Sequence, residues 1–131
     1  LVFVSSLMGK VGVPLRTMYA ASKHALHGFA DALRAELWCS RVGVSVVAPG
    51  YVKTEVSYAA LTGDGTPHGV LDPGQAGGIS AERCARAIIR AVERGRRERY
   101  VGLGPRERLA AVLRIVAPGI LARMLRTAKV T

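Results

Sequence analysis

The sequence has little with which to hold a metal or to build a disulfide framework. Cys39 and Cys84 are its only cysteines, no C-x-x-C pair occurs, and His24, His27 and His68 are scattered. None of these stands at metal-ligand spacing. The two thiols are expected to be reduced and structural, as in a reducing compartment. His24 and His27 are expected on the exposed side of a helix. No apolar run approaches the ~20 residues that a membrane-crossing helix needs. The opening LVFVSSLMGK also has no basic stretch ahead of an apolar one, so neither spanning nor secretion is expected from these residues. Repeats and low-complexity segments are absent too. Aromatics are scarce where charge accumulates, Tyr100 being the only one from residue 82 to 131. That disfavours the stacking mode of nucleic-acid binding, and no nucleic-acid partner is expected.

What is present is a chain of 131 residues, half of them hydrophobic, which suits one globular unit or part of one. Its net charge of +10 is uneven: residues 82–131 hold thirteen Lys/Arg against four Asp/Glu and carry +9 of it. A basic helical tail of this kind can meet an anionic membrane surface or an acidic ligand.

The pattern alternates strand and helix. LVFVSS reads as a short buried parallel strand and GKVGVP as loop. From Thr17 to Ser40 a helix is expected, with Leu26, Phe29, Leu33 and Leu37 forming one apolar stripe against a sheet. VGVSVVAPG is a second buried strand, stopped by Pro-Gly. Residues 51–79 read as a long irregular loop with one short helix around Thr54 to Leu61, and loops of that length in a compact domain are usually functional. Ser80 is placed to cap a helix over Ala81 to Arg94, with Glu82 at its positive end. RYVGL reads as a last strand, Pro105 opens another helix, and APG at 117–119 interrupts it before a final segment. This order predicts an α/β fold with a parallel sheet. Its ligand site is expected beyond the strand ends at Ser5–Ser6, Pro49–Gly50 and Gly102–Gly104, together with the long loop.

Tyr19 and Lys23 stand one helical turn apart, so an ammonium can approach a phenol. A nearby cation favours phenolate and moves the group toward acid/base work at neutral pH. Ser6, thirteen residues before Tyr19, can bond the same substrate oxygen. Y-x-x-x-K alone is a weak signal. Ser6, YAASK, an amphipathic helix and then a hydrophobic strand ending in PGYVKT are specific together.

In that combination the chain resembles the second half of a short-chain dehydrogenase/reductase, over residues 1 to about 104. SSLMGKVGVPLRTMYAASKHALHGFADALRAEL, TGDGTPHGVLD and VAPGIL carry a narrower resemblance to one subgroup of that superfamily. The resemblance implies an oxidoreductase moving hydride between a nicotinamide cofactor, NADP(H) sooner than NAD(H), and a lipid-like carbonyl or alcohol substrate. It implies catalytic roles for Ser6, Tyr19 and Lys23: Tyr19 is the acid/base, Ser6 orients the carbonyl, and Lys23 holds the ribose. Pro49, Gly50, Val52 and Thr54 would border the nicotinamide, Val52 offering backbone to its carboxamide and Thr54 reaching toward the phosphates. It further implies a homodimer and an intracellular enzyme of endoplasmic-reticulum or peroxisomal membranes, any anchor lying outside this chain.

The departures are equally specific. No Gly-rich phosphate-seating turn follows a first strand, GLGPRE at 102–107 being a strand-to-helix turn, and the sequence contains no asparagine for the family's proton relay. The fold expected is therefore the C-terminal part of a Rossmann-like doubly wound parallel sheet, without the N-terminal nucleotide-binding half. Residues 1–104 would be the dehydrogenase part and 105–131 a basic amphipathic extension touching a membrane surface. The alternative is a truncated, non-catalytic interaction or membrane-associating fragment.

Overall fold

The computed structural model describes residues 1–127. Strand β1 (Val2–Val4) leads through a 3-10 turn at Leu7–Gly9 into helix α1 (Thr17–Glu36), and strand β2 (Ser45–Pro49) follows. Two short strands, β3 (Val52–Lys53) and β4 (Ile79–Ser80), bracket the one-turn helices α2 (Val56–Ala59) and α3 (Pro73–Ala76). Helix α4 (Ala81–Glu93), strand β5 (Glu98–Val101) and helices α5 (Pro105–Val116) and α6 (Pro118–Arg126) come next. Residues 128–131, the end of the expected basic extension, lie outside the described residues.

The three main strands form a parallel sheet in the order β1-β2-β5, with Val4 opposite Val47 and Pro49 opposite Val101. All of β2 is buried. A central parallel strand covered on both faces has no solvent side, which is why its sequence does not alternate. On one face Ala30 of α1 forms a buried cluster with Val44 and Val46, and Phe3, Leu33 and Leu37 pack on it. On the other, Cys84 and Ala91 of α4 join Val47 and Val101, with Ile79, Ala87 and Ile88 alongside. Helices on both faces of a parallel sheet give the α/β architecture expected. Local signals act as read: the Ser80 hydroxyl accepts from Arg83 N at 3.2 Å, and a proline opens both α5 and α6.

Five expectations need correction. Strand β1 is not buried: it lies at the edge of the sheet, and Val2 and Val4 are both exposed. Helix α1 ends at Glu36, and Leu37 to Ser40 close in tight turns. Phe29 is not part of the buried stripe; it is 56% exposed and meets Phe3 edge-on at 5.4 Å. The inner face of α1 is instead lined by Ala20, His27 and Ala30, small or polar residues that let the helix lie close on the sheet. His27 is therefore buried, not exposed. Lastly, the segment 51–79 is not irregular throughout, since β3 and β4 pair in parallel through Val52–Ile79 and Lys53–Ser80. Helix α3 within it is capped by the Asp72 side chain, which accepts from Gly74 N at 2.7 Å.

The β3–β4 pairing depends on Gly78. A Cβ there would lie 2.6 Å from Tyr51 O and 2.9 Å from Val52 N, both backbone atoms that cannot step aside. Gly78→Ala is expected to cost about 1–3 kcal/mol, the usual range for overpacking, and to part β3 from β4. A thermal melt of the variant that matches the parent protein would contradict this.

His27 has a pH consequence. Its Nδ1 lies 3.5 Å from Glu98 Oε1, Lys10 Nζ holds the same oxygen at 3.3 Å, and Nε2 is buried without a hydrogen-bond partner. Burial, followed by Lys10, lowers the His27 pKa from 6.5, while Glu98 and Asp31 oppose that. A lowered folded-state pKa means the unfolded chain binds the proton more readily. Stability is then full above pH 6.5 and declines as pH falls from there toward the lower folded value. His27→Gln should flatten that slope, as thermal melts across pH 5 to 7.5 (roughly the histidine range) would show. A slope unchanged by the substitution would count against it.

Candidate active site

The carboxyl ends of the strands gather the candidate residues. Ser5 N donates to Val47 O at 2.7 Å and Gly50 N donates to Val101 O at 2.8 Å, so the turns after β1, β2 and β5 lie side by side at one end of the sheet. The first turns of α1 are fastened over the end of β1 from two directions. Lys23 Nζ donates to Val4 O at 3.2 Å, and the buried Ser5 hydroxyl donates to Lys23 O at 3.1 Å.

That fastening places the Lys23 ammonium 5.5 Å from the centre of the Tyr19 ring. Tyr19 is 44% exposed, so its phenol remains open to a substrate. Lys23 spends one N–H on Val4 O and has others to offer a ligand. Ser6 sits at the start of the 3-10 turn, where its oxygen accepts from Met8 N at 3.2 Å. A hydroxyl used as an acceptor keeps its hydrogen free to donate, the role a substrate carbonyl oxygen requires. Tyr19 and Lys23 are thus brought together, and Ser6 begins the turn two residues beyond the carbonyl that anchors Lys23.

Pro49 ends β2 and is buried, Gly50 follows it, and Val52 lies in β3 beside Ile79. Thr54 is exposed in the turn after β3, with a single weak contact to Val52 O at 3.5 Å. The residues present therefore fit the nicotinamide end of a dinucleotide: Lys23 keeps donors uncommitted, and the single hydroxyl hydrogen of Thr54 is spent only on the weak 3.5 Å contact. The neighbouring Tyr51 ring packs against Gly74 of α3, tying the long segment to the site. Burial, and secondarily Asp72, raises the Tyr51 pKa, which keeps that phenol neutral.

Sequence reasoning missed Ser5, whose hydroxyl holds α1 in place, and the Lys10–Glu98–His27 contact beneath the turn that carries Ser6. The doubled serine of LVFVSS was the available signal for the first. The second joins residues far apart in the chain and left no local mark. One concavity of about 610 Å³ lies at the opposite end of the sheet, around Arg34, Trp38 and Val44, and one of about 730 Å³ between α4, β5 and α5 reaches the turn after β5 at Gly102 and Leu103. Among the described residues no group of three or more His, Cys, Asp or Glu could hold a metal, and no helix is long and apolar enough to cross a membrane.

A family model for short chain dehydrogenase matches residues 1–63, a stretch that contains all seven candidate residues. Dehydrogenase/reductase SDR family member 7B of Xenopus tropicalis is 46% identical over 121 residues, which are 92% of this chain and 38% of that protein. The chain belongs to the short-chain dehydrogenase/reductase superfamily. The subgroup resemblance read from the sequence is likewise to SDR family member 7B, and the Bos taurus member is 42% identical over 95% of this chain and 38% of its own length. A short chain dehydrogenase from Burkholderia cenocepacia, solved in complex with NADP, superimposes with a TM-score of 0.72 at 28% identity. That match covers 97% of this chain and 47% of that one. The chain thus spans about two-fifths of the length of the curated relatives it matches, 38% for these two.

Proposed function

We propose that these residues form the catalytic part of an oxidoreductase. It transfers hydride between a nicotinamide cofactor, NADP(H) in preference to NAD(H), and an apolar, lipid-like carbonyl or alcohol. The observation that carries the reading is the Lys23 ammonium, fastened to Val4 O at 3.2 Å and held 5.5 Å from the exposed Tyr19 ring. In the reducing direction Ser6 donates a hydrogen bond to the substrate oxygen and steadies the charge that develops there. Tyr19 passes its proton to that oxygen, and Lys23 stabilises the phenolate oxygen left behind. A bound nicotinamide supplies the hydride chemistry. Lys23 and Thr54 would hold it at the ribose and phosphates, and Val52 would meet its carboxamide through the backbone.

An apolar substrate is favoured by the segment 51–79, where Val56, Tyr58, Leu61 and Val70 are all exposed. Residues 1–131 alone are inactive in this reading, because no phosphate-seating glycine turn and no relay asparagine occur among them. Pairing of two copies through the exposed Met18, Phe29 and Trp38 of the α1 region, and contact of α5 and α6 with a membrane surface, complete it. Fluorescence titration of the longer protein that carries these residues tests the cofactor assignment. NADPH is expected to bind more tightly than NADH, and equal or reversed affinities would reject that preference.

A further inference from the structure

Helix α5 is inside out for a helix on a protein surface. Its Leu109, Val112 and Val116 recur at three- and four-residue steps and are 50%, 54% and 69% exposed, with Ile115 beside them at 83%. On α6, which packs against α5, Ile120 and Met124 are one turn apart and also half exposed, while Leu121 takes the buried position. The helical spacing sets Arg106 and Arg108 on opposite flanks of the α5 stripe and Arg123 next to the α6 pair.

The stripe borders the cleft of about 730 Å³ between α4, β5 and α5, whose lining includes Val112 of the stripe and Arg108 on its flank. Arg83, Arg90, Arg99 and Arg108 line that cleft with a single carboxylate, Glu98, which already has Lys10 at 3.3 Å. Among the described residues none of these four arginines forms an ion pair. An outward apolar band next to four uncompensated guanidinium groups is complementary to one kind of surface, in which acyl chains lie under anionic headgroups.

We propose that this face docks on an anionic phospholipid bilayer, the α5–α6 stripe entering the headgroup boundary while the arginine cleft takes a headgroup of net negative charge. Paired N–H donors of guanidinium match phosphate oxygens, which lysine's point charge does less specifically. The inference deepens the membrane part of the reading above and is independent of its catalysis. A nucleic acid would satisfy the arginines but leave the stripe in water, with Tyr100 the one aromatic nearby to stack on.

Co-sedimentation of the longer protein that carries these residues with vesicles tests it, using phosphatidylcholine alone and phosphatidylcholine mixed with phosphatidylserine. Binding is expected to be at least ~10-fold tighter to the acidic vesicles and to weaken with salt. The Arg90→Gln/Arg108→Gln pair should remove that preference. Ile115→Glu, at an exposed position that leaves the core and the circular dichroism spectrum unchanged, should abolish binding to both. Equal binding to the two vesicles would leave membrane contact standing but overturn headgroup recognition. No vesicle binding, retention of glycerol phosphate without vesicles, or a dimer dissolved by Ile115→Glu that ignores lipid would each overturn the proposal.

Discussion

Replacing Tyr19 by phenylalanine in the protein that carries these residues is expected to lower kcat by at least ~100-fold, the lower end of what a positioned acid or base contributes. The substitution keeps the ring that lies 5.5 Å from the Lys23 ammonium, so the packing of α1 on β1 is untouched and the loss can be assigned to the missing hydroxyl. Cofactor affinity should change little, because the phenol acts on the substrate oxygen. This split separates the proposed role from a structural one. A damaged fold would weaken NADPH binding and kcat together, whereas loss of the proton donor alone leaves binding in place. Turnover close to that of the parent protein would remove Tyr19 from the chemistry. Lys23→Met makes the complementary case: it removes the ammonium and frees Val4 O, so both cofactor affinity and kcat should fall.

The parts of this fold that were legible in the sequence are those written locally. Ser80 caps α4 because a serine hydroxyl accepts from the N–H three residues on, and Pro105 opens α5 because that position needs no donor. Helix α3 was legible by the same rules in Asp72-Pro73, a capping side chain followed by a proline, although the glycines around it hid the signal. What the sequence could not disclose depends on distant partners. Strands β3 and β4 are two residues each and exist only because Gly78 lets Ile79 N reach Tyr51 O at 3.1 Å. His27 reads as a surface residue by type, yet it shares the buried helix face with Ala20 and Ala30 and packs against Gly9 of the turn after β1. Apolar periodicity found Leu33 and Leu37, which do pack on the core, and missed the fully buried positions beside them, where the side chains are alanine and histidine. The candidate site was legible for another reason: Ser6, Tyr19 and Lys23 were recognised as a constellation with known spacing, and the geometry then supplied the anchors, Val4 O and the Ser5 hydroxyl.

The second large effect expected concerns the edge of β1. This strand pairs with β2 on one side only, and Leu1, Val2 and Val4 are 60%, 41% and 49% exposed, whereas the central strand β2 is buried throughout. An open parallel edge with apolar side chains invites another strand to pair with it. Met18 and Phe29, at 82% and 56%, extend the uncovered surface along α1. Burying one such side chain is worth about 1.5–3 kcal/mol, while the whole margin of a folded domain is only about 5–15 kcal/mol. Leaving several of them in water is therefore enough to erase much of that margin. Residues 1–131, purified alone, should melt broadly at low temperature, self-associate with rising concentration and show no cofactor-dependent turnover. Val2→Lys, which sets a charge on the open edge, should reduce association without restoring activity. Scanning calorimetry, light scattering and NADPH titration of the same sample decide the matter. A sharp two-state transition together with micromolar cofactor binding would mean that β1 needs no further neighbour and that this stretch is a self-sufficient domain.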